Sequence, residues 1–178
     1  MRVLNAGLNA NIEQFIVTSS IAAMFRKPNR SNPYSFNEND WTDENWKEGV
    51  NDYFLSKTKA EKAAWELMEI KGLKNKLTMI NPGGVFGDAL DKKGGTSIEY
   101  VRQFMKGKFP AAPKWGILIS DVKDVAKAHV ACIGNTKVGG RRLIVGKEVK
   151  KLIELSQIMA EAMPEYAKKI PKKNYQFY

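Results

Sequence analysis

The sequence has one cysteine, Cys132, and one histidine, His129. A lone cysteine excludes an internal disulfide and any cysteine-rich zinc site. A lone histidine argues against a multi-histidine metal centre. It also removes Ser-His and Cys-His mechanisms, unless His129 itself is the base. No apolar run reaches the ~18 residues of a transmembrane helix. The opening MRVLNAGLNANIEQF lacks the basic-then-apolar pattern of a secretory leader, so a cytoplasmic protein is expected. No internal repeat or low-complexity segment is visible.

What is present fits a globular domain. Of 178 residues, 43% are hydrophobic and 27% charged, which excludes a disordered tail or a fibrous repeat. The net charge of +10 attracts polyanions without specificity. Lysines are scattered except in the last quarter, where Arg141, Arg142, Lys147, Lys150, Lys151, Lys168, Lys169, Lys172 and Lys173 dominate. No nucleic-acid-binding module accompanies them, so neither a specific nucleic acid nor a membrane is expected as a partner.

Apolar periodicity gives an alternating order of helix and strand. Residues 2–10 read as a helix stopped at Asn11. Gln14 to Ser20 is a β-branched run ending in small polar residues. Residues 26–48 hold prolines and many Asn, Asp and Ser, which excludes a regular element and predicts a long surface loop. Residues 50–71 form the clearest helix, closed by Gly72. Lys76–Ile80 is a strand running into Asn81-Pro82-Gly83-Gly84. Thr96–Lys106 is a helix, Gly116–Ser120 a short strand, Asp121–Ile133 a helix, Arg141–Val145 a strand and Leu152–Met163 a helix. Such an order predicts an α/β fold with a parallel sheet and crossover helices.

Tyr53 and Lys57 lie one helical turn apart on the same face. A nearby cation favours the phenolate form of a tyrosine. Such a pair can exchange a proton with a substrate oxygen near neutral pH. Y-x-x-x-K also arises by chance in many helices, so its surroundings decide. The strand before it ends in Thr18-Ser19-Ser20. In α/β sheets the carboxyl ends of strands line the ligand crevice, where a serine hydroxyl can bond the oxygen that tyrosine protonates. The next strand ends at the same edge, in Asn81-Pro82-Gly83-Gly84-Val85-Phe86-Gly87.

Taken together, FIVTSSIAAM, ENDWTDENW, YFLSKTKAEKAAWE, INPGGVFGDAL, SIEYVRQFMKGKFPAAPKWG and DVKDVAKAHVAC resemble the extended short-chain dehydrogenases/reductases. Within that family the chain is similar to the dihydroflavonol reductase-like branch of the NAD-dependent epimerase/dehydratase superfamily. The resemblance covers nearly the whole chain. It implies the C-terminal part of a Rossmann-type parallel sheet with flanking helices, plus a small substrate-side lobe. Residues 1–178 would form a single partial domain, with 1–95 and 117–150 in the core and 96–116 and 151–178 in the lobe. It assigns Ser20 as the partner of the substrate oxygen, with Ser19 as the other choice, and Tyr53 as general acid/base. Lys57 would hold the nicotinamide ribose. Pro82, Gly83 and Val85 would flank the nicotinamide of NADP or NAD. The implied reaction is hydride exchange with a small carbonyl or alcohol. The family also implies a homodimer through the helices at 2–10 and 50–71.

The family's G-x-x-G-x-x-G turn, which admits the cofactor pyrophosphate to a helix N-terminus, is not in this sequence. The resemblance begins after roughly one hundred residues of a typical member, the length of a mononucleotide half. The expectation is a truncated or partial reductase, or a short protein that keeps the catalytic half. The Phe15–Thr18 strand would then be an exposed edge inviting aggregation or pairing. Such a chain would bind NAD(P) poorly and show little activity. A nucleotide-sugar epimerase/dehydratase, or a non-catalytic interaction protein, are the alternatives. His129 reads as a satisfied helix histidine, Asp121 and Asp124 as helix-starting residues, and Cys132 as a small buried residue. Trp41 and Trp46 can serve an aromatic substrate or pack the loop. No metal is expected.

Overall fold

The structure is a computed structural model and describes residues 1–30, 34–89 and 94–175. The chain divides into two compact units. The first comprises Met1–Gly83 and Asp124–Val145, the second Gly84–Lys123 and Gly146–Tyr178.

In the first unit, α1 (Arg2–Asn9) is followed by Asn11 at φ +56°, a left-handed conformation that asparagine tolerates and that stops the helix. Then come β1 (Phe15–Thr18), a helical turn at Ile21–Ala23, α2 (Asp52–Ile70), β2 (Leu77–Pro82), most of α4 (Val122–Cys132) and β5 (Arg142–Val145). Asn51 caps α2 by accepting the Phe54 N–H at 3.1 Å. Gly72, at φ +67°, ends it in the left-handed conformation a helix C-terminus favours. The strands form one parallel sheet in the order β1-β2-β5. Central β2 is buried along its whole length, as a parallel strand covered on both faces should be. Phe15, Leu77 and Met79 pack with Leu4, Ala64, Trp65 and Met68 from the helices to form the core.

The second unit holds β3 (Gly84–Phe86), α3 (Thr96–Met105), β4 (Gly116–Asp121), β6 (Glu148–Lys151) and α5 (Leu152–Ala162). Its sheet runs β3-β4-β6, with β3 parallel and β6 antiparallel to β4. The α/β class and the three main parallel strands are as expected from sequence. Strands β3 and β6 are additions. Among the described residues of 26–48 there is no helix or strand.

Candidate functional site

β1 and β2 run in register, with Thr18 opposite Ile80, so Ser20 and Pro82 lie level at the carboxyl edge of the sheet. The ladder continues past β1, because the Ser19 N–H donates to the Ile80 carbonyl at 2.7 Å. Ser20 is buried and extended, at φ −165° and ψ 152°. Its Oγ accepts the Ala22 N–H at 3.1 Å and caps the turn that follows. A hydroxyl that accepts one bond still carries a proton to donate. The Ser20 carbonyl accepts from Asn81 Nδ2 at 3.1 Å. The Ser19 hydroxyl is spent differently, donating to Glu61 Oε2 inside the unit.

Tyr53 and Lys57 occupy the first two turns of α2. Tyr53 is 55% exposed, and the Lys57 ammonium lies 6.0 Å from its ring centroid. Neighbouring Phe54 anchors this turn. Phe25, five residues beyond Ser20, meets the Phe54 ring edge-on at 5.5 Å, and the Arg26 guanidinium lies 4.9 Å above it. The segment that leaves the strand tip therefore packs against the helical turn that carries Tyr53.

Loop 34–50 is strapped to the same segment. The Thr42 hydroxyl donates to the Ala22 carbonyl at 2.7 Å, and the Arg26 N–H donates to Thr42 Oγ1 at 3.1 Å. Trp41 stacks under the Arg142 guanidinium at 3.7 Å. Trp41 thus serves packing of the loop.

Of the cofactor-side candidates, Pro82 ends β2 and is buried, and Gly83 follows it. Val85 belongs to the second unit, half-buried in β3 opposite Ser120. Tyr53 and Lys57 offer a phenol and an ammonium, groups able to bond the hydroxyls of a ribose. No residue of this chain is assigned to a cofactor pyrophosphate.

The discounted residues have structural partners. The Val125 carbonyl can only accept, so His129 donates to it from Nδ1 at 2.8 Å, and its Nε2 shares a hydrogen bond with the Thr18 hydroxyl at 2.7 Å. Asp121 Oδ1 accepts the Lys123 N–H at 2.7 Å at the start of α4. Cys132 is buried, and that burial pushes its thiol pKa up, away from reactive thiolate. Among the described residues no group of three His, Cys, Asp or Glu side chains could hold a metal ion, and no helix is long and apolar enough to cross a membrane.

Sequence reasoning missed Glu61, Asn81 and Arg142. Glu61 is wholly buried, with Oε1 accepting from Arg142 Nε at 2.6 Å and Trp65 Nε1 at 3.3 Å. Its Oε2 accepts from Asn81 Nδ2 at 2.8 Å, besides Ser19. A signal was available, since Tyr53, Lys57, Glu61 and Trp65 recur at every fourth position and so share one face of α2.

No family model matches the chain. It is 32% identical over 165 residues to cinnamoyl-CoA reductase 1 of Arabidopsis thaliana, covering 92% of this chain and 47% of that protein. It is 34% identical over 177 residues to the NADPH-dependent methylglyoxal reductase GRE2 of Saccharomyces cerevisiae, covering 90% of this chain and 51% of that protein. The solved structure of yeast methylglyoxal/isovaleraldehyde reductase Gre2 complexed with NADPH matches with a TM-score of 0.79 at 30% identity, over 96% of this chain and 54% of that one. The chain spans about half the length of the curated relatives it matches. These likenesses agree with the resemblance of the sequence to the dihydroflavonol reductase-like branch of the extended short-chain dehydrogenases/reductases.

Proposed function

We propose that this chain carries the Ser-Tyr-Lys side of an NADPH-dependent reductase acting on a small carbonyl compound. The observation that carries the reading is the packing of Phe25 and Arg26, in the segment just past Ser20, onto Phe54 in the turn of α2 that bears Tyr53. The reductase names of the relatives, and the NADPH in the yeast structure, support the cofactor and the reaction class.

In this reading the Ser20 hydroxyl donates to the carbonyl oxygen and fixes its position. Tyr53 passes its phenolic proton to that oxygen as it becomes an alcohol. The Lys57 ammonium stabilises the phenolate left behind and holds the nicotinamide ribose. Bound NADPH supplies the hydride that the carbonyl carbon receives. Pro82 and Gly83, at the end of β2, shape the nicotinamide side. Ser20 is preferred to Ser19 because the Ser19 hydroxyl already donates to a buried carboxylate.

The test uses the natural polypeptide that carries this sequence, with NADPH and a panel including methylglyoxal and cinnamoyl-CoA. Tyr53→Phe is expected to lower kcat by about 10²- to 10⁴-fold, the usual worth of a positioned acid. NADPH affinity by titration should stay nearly unchanged. Ser20→Ala should cost more turnover than Ser19→Ala. Turnover in Tyr53→Phe equal to that of the parent would end the proton-transfer reading.

A further inference from the structure

Four bonds converge on the buried Glu61 carboxylate, one from each of Arg142, Trp65, Asn81 and Ser19. They fill the roughly four acceptor positions a carboxylate offers. Two of them lead to the strand tip. Ser19 precedes Ser20 directly. Asn81 uses one amide group twice, donating to Glu61 Oε2 at 2.8 Å and to the Ser20 carbonyl at 3.1 Å. The opposite oxygen is held by Arg142. Its Nη1 donates to the carbonyls of Glu38 at 3.0 Å and Asp40 at 2.5 Å, just ahead of Trp41 in the loop.

We propose that Glu61 is a positioning residue of the reductase site, setting the Ser20 hydroxyl through Ser19 and Asn81 while Arg142 ties the Trp41 loop to the same carboxylate. The proposal rests on the function proposed above. Burying an ion pair is a poor way to gain stability, since well-packed apolar residues of similar volume often do as well or better. What apolar residues cannot do is accept from Ser19 and Asn81 together. The extended backbone of Ser20 is thus held on both sides. The preceding side chain and its own carbonyl are tied to one carboxylate system, and its Oγ meets the Ala22 N–H.

The geometry also separates two effects of substitution. Glu61→Gln leaves the Arg142 charge buried without its counter-ion, and should lower both stability and turnover. The double variant Glu61→Leu with Arg142→Met removes both charges. It should regain most of the thermal stability, yet keep kcat about 10- to 100-fold below the parent, the scale expected for a slightly misplaced reacting group. The KM for NADPH should stay within about threefold, because Lys57 and Pro82 are untouched.

The experiment measures kcat, KM for NADPH and Tm of the natural polypeptide in four forms: parent, double variant, Ser19→Ala and Tyr53→Phe. Ser19→Ala removes a single bond to Glu61, so it guards against a double variant that does not fold. It should lower kcat several-fold while Tm falls by only several degrees, since Oε2 keeps its bond from Asn81. If kcat returns with Tm in the double variant, or Ser19→Ala matches the parent in kcat while Tyr53→Phe is inactive, the positioning role is overturned. If Tyr53→Phe retains parental turnover, the reductase reading itself fails and this proposal goes with it.

Discussion

The two units handle charge in opposite ways. The first places a carboxylate and a guanidinium inside. The Glu61 and Arg142 side chains are 0% and 7% exposed, with Ser20, Thr58, Thr78 and Asn81 also buried. The second unit buries Phe104, Ala111, Ala112, Leu152 and Ile170, and its buried polar side chains are Ser120 and Ser156. Its ion pairs stand at the surface, as Lys150 with Glu148 at 2.9 Å, and lysines 106, 168, 169, 172 and 173 rim a cavity of about 590 Å³. Interior polar bonds are directional and costly to leave unmade, so they fix one arrangement of strands, helix and loop. Surface charges are solvated in either state and fix little. The sheet edge proposed to do chemistry is the one that is wired internally.

The sharpest way to break this comparison is to remove one partner from each kind of pair. Arg142→Met strands a buried carboxylate and also frees the carbonyls of Glu38 and Asp40. It should cost about 3–5 kcal/mol of unfolding free energy. Lys150→Ala, whose partner is half in water, should cost far less. Urea titrations of the two variants measure the difference. Equal costs would mean that the interior pair holds no more than a surface one.

This contrast also explains what was legible in the sequence. Periodicity located α2 from Leu55, Ala60, Ala64 and Met68, and β2 from its apolar run, because burial on a known face leaves a repeat. Tyr53, Lys57 and Ser20 stand out as candidates because the spacing of the pair and the position of a strand tip are local features. Strand β6 was not found, since Glu-Val-Lys-Lys reads as solvated loop and its strand state comes from pairing with β4. Strand β3, three residues long, is too short to show alternation. Glu61 looked like one more charge on a charged helix. Only the fold brings Asn81 and Arg142, from two other strands, to its oxygens. Buried polar networks are tertiary objects, and a single sequence shows their members without their meeting.

A smaller effect comes from glycine positions in the two units. Gly139, in the first unit, has ordinary backbone angles of φ −60° and ψ 138°, so strain is not its reason. A Cβ there would lie 1.9 Å from the Asn75 carbonyl oxygen, a backbone atom that cannot step aside alone. Gly139→Ala should therefore destabilise by about 1–3 kcal/mol. Gly95, in the second unit, has open space around its Cβ position and is the N-cap of α3, with no side-chain acceptor of its own. Gly95→Ser supplies an oxygen for the first-turn N–H groups and should stabilise by a few tenths of a kcal/mol. Thermal melts of both variants test the pair. A tolerated Gly139→Ala would show that the Lys74–Lys76 turn gives way easily.

The smallest expected effects separate the units by pH. Burial draws the Asp40 carboxyl upward, but the Asn37 N–H, the Tyr34 hydroxyl and the charges of Arg30 and Lys27 outweigh it and hold the group below its ordinary value. A carboxyl lowered on folding contributes stability above its unfolded value, near pH 3.9, and loses it as pH falls through the lower folded value. Lys150 is moved the other way: its bond to Glu148 raises it above the ordinary lysine value. Its contribution is complete below the unfolded value, near pH 10.4, and fades as pH rises through the higher folded one. Asp40→Asn should therefore flatten only the acid limb of a stability–pH curve, and Lys150→Met only the alkaline limb. Unfolding midpoints in urea between pH 3 and 11 would show both. Both changes should be slight, because these groups keep contact with water and are screened by salt, whereas the pair of Glu61 and Arg142 is sheltered from both.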